Sequence, residues 1–118
     1  MKIIIVTDHQ IVGYGLRLIS KSVWPVATVF ELSDLYGTNN FLSEDKTDLI
    51  IIDLSITENK KLQDFLQKVG GKVKVIIFSN SQISHTVAKS LIAFGANGII
   101  DKNSSVLEAT DLLAKLFI

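Results

Sequence analysis

The chain has 118 residues, 47% of them apolar and 20% charged, which suits one globular domain and excludes both a second ordinary domain and global disorder. Twelve basic side chains balance twelve acidic ones, so a stand-alone nucleic-acid binder with a basic face is excluded. The lack of cysteine rules out a disulfide framework or thiolate metal site, and the opening apolar run is too short for a secretory segment.

Residues 2–6 form a short, β-branched apolar run and read as the first strand. A helix follows over residues 11–20, with Val12, Leu16 and Ile19 on one face. Trp24 and Pro25 mark the entry to a weaker second strand at 26–30, where core packing explains the tryptophan better than ligand stacking. The second helix, near 33–42, contains Gly37, Thr38, Asn39 and Asn40, all weak formers, and is expected to be short. Residues 48–53 form the third strand. Leu62, Phe65, Leu66 and Val69 give the third helix its apolar stripe. Residues 73–78 are the fourth strand. The fourth helix has its stripe at Ile83, Val87, Leu91 and Phe94 and ends at Gly95. Residues 98–100 are the fifth strand, and a helix from 106 to 117 follows a cap at Ser104 or Ser105. No run is long and apolar enough for a membrane span, so a soluble, cytoplasmic chain is expected.

Strand and helix alternate five times. That pattern predicts a (βα)5 doubly wound α/β fold with a parallel sheet and right-handed crossovers. In the flavodoxin-like strand order 2-1-3-4-5, function sits beyond the carboxyl ends of the strands, at the switch point between the first and third. The residues at those ends are Thr7, Asp8 and His9 after strand one, Asp53 closing strand three, Ser79 and Asn80 after strand four, and Asp101 and Lys102 after strand five. Carboxylates at such an edge attract a hard divalent cation. An Asp53 oxygen is a competent nucleophile toward a phosphoryl donor, and an ammonium and a hydroxyl stabilise the charge that spreads over the phosphoryl oxygens.

Four stretches in order, KIIIVTDH at 2–9, DLIIIDL at 48–54, VIIFS at 75–79 and AFGANGIIDKNSS at 93–105, give the chain a resemblance to the response-regulator receiver domains. The resemblance is to the CheY-like superfamily and within it the NarL/LuxR-type branch, and it covers residues 1–118 as one receiver domain. It implies that Asp53 is the phosphoacceptor, that Asp8, Asp53 and the backbone carbonyl of Ser55 hold Mg²⁺, that Ser79 is the switch hydroxyl and that Lys102 holds the phosphoryl group. It also implies a sensor histidine kinase as partner and self-catalysed phosphoryl acceptance rather than enzymatic turnover. Homodimers through the fourth and fifth or the first and fifth helices are implied too, with DNA binding only through a downstream helix-turn-helix domain that this chain lacks.

The chain departs from that pattern at several points. Thr7 stands where receivers usually carry a first acid. Loss of such an orienting partner costs about 10–100-fold in metal affinity, so weakened Mg²⁺ binding is expected. The loop after Asp53 has no proline or glycine through Glu58. Ile99 replaces the switching aromatic, and Asn103 follows Lys102 where many receivers have a cis proline, so a trans bond is expected there. These departures favour an alternative, a pseudo-receiver that works by protein contact without phosphorylation.

Each residue also has a plainer reading. Asp53 could be a strand end satisfied by backbone N–H groups, Ser79 a turn residue, Lys102 a solvated loop residue and Asp8 a cap of the first helix. His9 is expected in the loop that opens the first helix and His85 in solvent early in the fourth, and their separation makes no metal spacing. Gly13 and Gly15 do not complete a dinucleotide loop, since Leu18 stands where a third glycine is needed; they are expected to allow close helix packing. A flavodoxin-like nucleotide-binding domain is a third reading, but it requires a phosphate-cradling loop that the sequence lacks.

Overall fold

Strands buried on both faces must be apolar throughout, and helices must then cover each face. The structure, a computed structural model, describes residues 1–44 and 46–118, with side chains at all of these but 40, 41, 43 and 44. Strands β1 (Lys2–Val6), β2 (Thr28–Leu32), β3 (Leu49–Asp53), β4 (Lys74–Ser79) and β5 (Gly98–Asp101) form one parallel sheet in the order β2-β1-β3-β4-β5. The helices are α1 (Gln10–Val23), α2 (Leu35–Glu44), α3 (Asn59–Val69), α4 (His85–Phe94) and α5 (Val106–Lys115), with a 3₁₀ turn at Leu54–Ile56. This is the flavodoxin-like doubly wound fold read from the sequence.

The period-2 alternation of the central strands divides the core into two layers. Ile4, Val6, Ile50, Ile52 and Ile77 pack on Leu62, Phe65 and Leu66 of α3 and Leu91 of α4. Ile3, Ile5, Leu49, Ile51 and Ile76 pack on Leu16 of α1 and Ala109 and Leu113 of α5. Each fully buried Ile or Leu contributes about 1.5–3 kcal/mol, so the central three strands hold the site rigidly.

Several elements differ from the sequence reading. β2 starts two residues later than expected, because the amide of Ala27 donates to the carbonyl of Trp24 and that turn takes up Val26, which is 93% exposed. Trp24 packs on the α1/α5 layer with its edge against Phe117, as core packing requires. In α4 the Ser84 hydroxyl accepts from the Val87 amide and caps the helix. Ile83 therefore precedes α4 and Val87 is exposed, leaving Leu91 as the buried residue of that helix. Gly95 ends α4 with a φ of 124°, in the region glycine favours. α2 runs ten residues in spite of its poor formers, with the buried Thr38 hydroxyl donating to the carbonyl of Asp34; the Asn40 side chain lies outside the described residues. α5 ends at Lys115 rather than 117 and starts on a Ser105–Glu108 capping box. Among the described residues no helix is long and apolar enough to cross a membrane.

Candidate functional site

Parallel pairing carries four strand ends to one edge. β1 and β3 run in register to Val6↔Ile52, which sets Thr7 beside Asp53. β3 and β4 pair Asp53 with Phe78, which puts Ser79 one step beyond. β4 and β5 pair Ser79 with Asp101, and Lys102 follows. The predicted residues therefore share the carboxyl edge, with Asp53 at the centre.

Asp53 is 1% exposed. A buried carboxylate requires hydrogen-bond donors, and three surround it. The Thr7 hydroxyl donates to Oδ2 at 2.7 Å. The Ser55 amide and hydroxyl donate to Oδ1 at 3.0 and 2.8 Å. Thr7 was read from the sequence only as a missing acid, and Ser55 only as a carbonyl. The structure places the side chains of both against the Asp53 carboxylate. The register of the two apolar runs is the sequence signal that brings Thr7 to Asp53.

Asp8 is 62% exposed, and His9 Nε2 lies 3.5 Å from its Oδ1. It does not cap α1, whose first turn is preceded by His9 without a side-chain cap. Instead the His9 amide donates to the Thr7 hydroxyl at 3.1 Å. Ser79 is buried and turned into its own loop, donating to the carbonyl of Ser81 at 2.8 Å and accepting from the Ser81 amide at 3.2 Å. Lys102 is exposed, and its ammonium has no ion pair among the described residues. The Lys102–Asn103 bond is trans, as expected. Asp101 accepts from the amides of Asn103 at 2.9 Å and Ile83 at 3.4 Å, a tie between two loops that sequence reading passed over. His85 is exposed at the start of α4.

The glycine pair divides. A Cβ on Gly13 would meet the carboxylate of Glu31 and come within 3.3 Å of the Thr7 methyl, whereas one on Gly15 would meet nothing within 4 Å. Close packing explains Gly13 alone. A groove of about 800 Å³ opens beside the edge between α2 and α3; Ser55 lines it, while Asp53, Asp8, Ser79 and Lys102 do not.

The Mg²⁺ implied by the resemblance needs oxygen ligands, and a few carboxylates with carbonyls and waters suffice. Asp8, Asp53 and the Ser55 carbonyl are such donors by chemistry. Among the described residues no group of three or more His, Cys, Asp or Glu side chains could hold a metal, so any cation here rests on two carboxylates. At Asp53 it would share the carboxylate with the Thr7 and Ser55 donors.

No protein-family model matches the chain. Its sequence is 31% identical over 114 residues to the methanol utilization control regulatory protein MoxX of Paracoccus denitrificans, covering 92% of this chain and 49% of that protein. The chain thus spans about half the length of the curated relative it matches. Its fold matches the signal receiver domain of a DNA-binding response regulator from Colwellia psychrerythraea 34H, with a TM-score of 0.83, 15% identity and coverage of 99% and 98% of the two chains. It also matches RcsB of Salmonella enterica serovar Typhimurium, bound to the promoter rprA in the presence of the phosphomimetic BeF3⁻, with a TM-score of 0.80, 21% identity and coverage of 98% and 67%. A LuxR family DNA-binding response regulator from Silicibacter pomeroyi matches at a TM-score of 0.74 and 21% identity, with coverage of 97% and 85%.

Proposed function

From the premise that this chain has the receiver fold of the response regulators, we propose that it is a two-component signalling receiver that accepts a phosphoryl group on Asp53 from a sensor histidine kinase. The observation that carries this reading is the gathering of Asp8, Asp53, Ser79 and the Lys102 loop at one sheet edge, with Asp53 buried at the end of the central strand. In the transfer, an Asp53 oxygen attacks the phosphorus of a phosphoimidazole. The P–N bond breaks, and the imidazole nitrogen keeps the electron pair and takes up a proton. Bound Mg²⁺ supplies neutralisation of the phosphoryl charge. Lys102, exposed on the loop after β5, closes onto the phosphoryl oxygens, and Ser79 leaves Ser81 to donate to one of them. The new charge, about −1.5 to −2 at neutral pH, rearranges the β4–α4 loop and with it the exposed face of α4.

In this reading the chain acts in the cytoplasm and does not turn over substrate as an enzyme. Its pairing face is α1 with α5, where Ile11, Tyr14, Leu18 and Leu107 are exposed. DNA is contacted only through a further domain of the kind present in the DNA-binding regulators it resembles.

One observation favours the second reading, a pseudo-receiver. Both Asp53 oxygens are already taken by Thr7 and Ser55, and Lys102 makes no ion pair with it. Incubation with a small phosphodonor and Mg²⁺, followed by intact-mass measurement, separates the two. A phosphoryl mass gain on the wild type that vanishes in Asp53→Asn supports the acceptor. No gain on the wild type, or an equal gain on the variant, leaves the pseudo-receiver.

A further inference from the structure

Thr7 is more than a lost acid. Its backbone is fixed by a 2.9 Å hydrogen bond from its amide to the carbonyl of Leu32. Its methyl lies against Gly13, close enough that a Cβ there would sit 3.3 Å away. Its oxygen accepts from the His9 amide at 3.1 Å, which leaves the hydroxyl proton to point elsewhere. It points at Asp53 Oδ2, at 2.7 Å. A β-branched side chain has few rotamers, and this one is held from three sides. The residue is itself 8% exposed, so bulk water does not compete for the bond. Hydrogen bonds from a neutral donor to a buried carboxylate are short and strong.

We propose that Thr7 is a latch: a built-in competitor whose hydroxyl, donating to Asp53 Oδ2, opposes a divalent cation or an incoming phosphoryl group at that oxygen. The site then opens only when the Thr7–Asp53 bond breaks, and Thr7 sets how much cation that takes. This inference rests on the phosphoacceptor reading for its consequence in signalling, while the latch itself concerns the free chain. Ser55 holds the other oxygen, with donors that lie in the 3₁₀ turn after β3. Thr7 is held by the rigid β1–β3 pair.

The test is a Mg²⁺ titration of the full chain, read by amide chemical shifts of His9 and Ser55, on wild type, Thr7→Val, Thr7→Ser and Thr7→Asp. Valine keeps the shape and the methyl contact but removes the hydroxyl. Thr7→Val is expected to bind Mg²⁺ about tenfold to a hundredfold more tightly than wild type, the size of a charge-assisted hydrogen bond. Thr7→Ser, which keeps the hydroxyl, is expected to stay near wild type, and Thr7→Asp to bind more tightly still. A dispersed amide spectrum in the cation-free state checks that each variant folds. If Thr7→Val binds no more tightly than wild type while Thr7→Asp does, the hydroxyl does not compete and the latch is wrong. The same samples carry the phosphodonor assay. A mass gain on wild type with unchanged cation affinity in Thr7→Val sinks the latch and leaves the acceptor standing. A gain confined to Thr7→Val and Thr7→Asp supports the latch and shows that the unmodified chain does not act as an acceptor.

Discussion

The carboxyl edge of the sheet falls into two halves built in different ways. On the β1–β3 side, Thr7, Ser55 and the His9 amide form one network around the single buried carboxylate of Asp53. On the β4–β5 side, Ser79 closes on Ser81, and Asp101 ties the Ile83 and Asn103 amides together. Among the described residues no side-chain hydrogen bond joins the halves, and the one cation placed to join them, Lys102, is exposed and unpaired. The first half is set to hold Asp53 still; the second is set to hold two loops. In the proposed acceptor reading, a phosphoryl group on Asp53, reaching Ser79 and Lys102, would be the bridge between two halves that stand apart in the free chain.

Chemistry that needs both halves should fail most completely when either is removed. Asp53→Asn is expected to abolish phosphodonor labelling outright. Lys102→Ala is expected to slow it on the order of 100-fold, the loss typical of one charge-stabilising group, with no change in thermal midpoint because Lys102 makes no ion pair in the free chain. Intact-mass time courses measure both. A Lys102→Ala chain that labels at the wild-type rate breaks the bridge picture.

The two halves also separate by what supports them. Gly13 lies under the first, where a Cβ would meet the Thr7 methyl and the Glu31 carboxylate, the latter held by Arg17 in a 2.8 Å ion pair. Gly13→Ala is therefore expected to cost about 1–3 kcal/mol by denaturant unfolding and to shift the His9 and Ser55 amide signals. The Ile83 and Asn103 signals should stay in place. Gly15→Ala, with open space at its Cβ, should if anything stabilise α1 by about 0.5–1 kcal/mol.

How much of this was legible in the sequence follows from which forces set each feature. Strands rich in Ile and Val, and stripes such as Leu62, Phe65, Leu66 and Val69, announce themselves because burial selects their composition directly; all four of those residues are buried. The parallel sheet follows from alternation, whereas the order 2-1-3-4-5 is that of the flavodoxin-like fold, one of two common doubly wound orders. The start of β2 does not, because a local turn at Trp24–Ala27 outbids strand propensity at Val26. Nor does the start of α4, where the Ser84 cap decides against a stripe that began at Ile83. At the site, residue types located Asp8, Asp53, Ser79 and Lys102 on the edge, but types do not show where hydroxyls point. Thr7 toward Asp53 and Ser79 toward Ser81 are outcomes of packing and of who is nearest. The sequence puts Asp101 on the edge beside Lys102, but its two amide partners, Ile83 and Asn103, depend on how the loops pack.

The smallest expected effect tests the Asp101 tie. Asp101 holds the Ile83 amide just ahead of the α4 cap and the Asn103 amide just after Lys102. Its backbone stays in place without the carboxylate, since the Asp101 amide donates to the Ser104 hydroxyl and the Ser104 amide to the Asp101 carbonyl. Asp101→Ala therefore removes the tie without unmaking β5. The global cost should be about 1 kcal/mol, since one bond is long and both amides sit near solvent. The local effect is the informative one. Hydrogen exchange should quicken at Ile83 and Asn103 together, while Ser55 and His9 in the other half keep wild-type protection. If exchange at Ser55 and His9 quickens as well, the halves are already coupled in the free chain, and phosphorylation has less left to join.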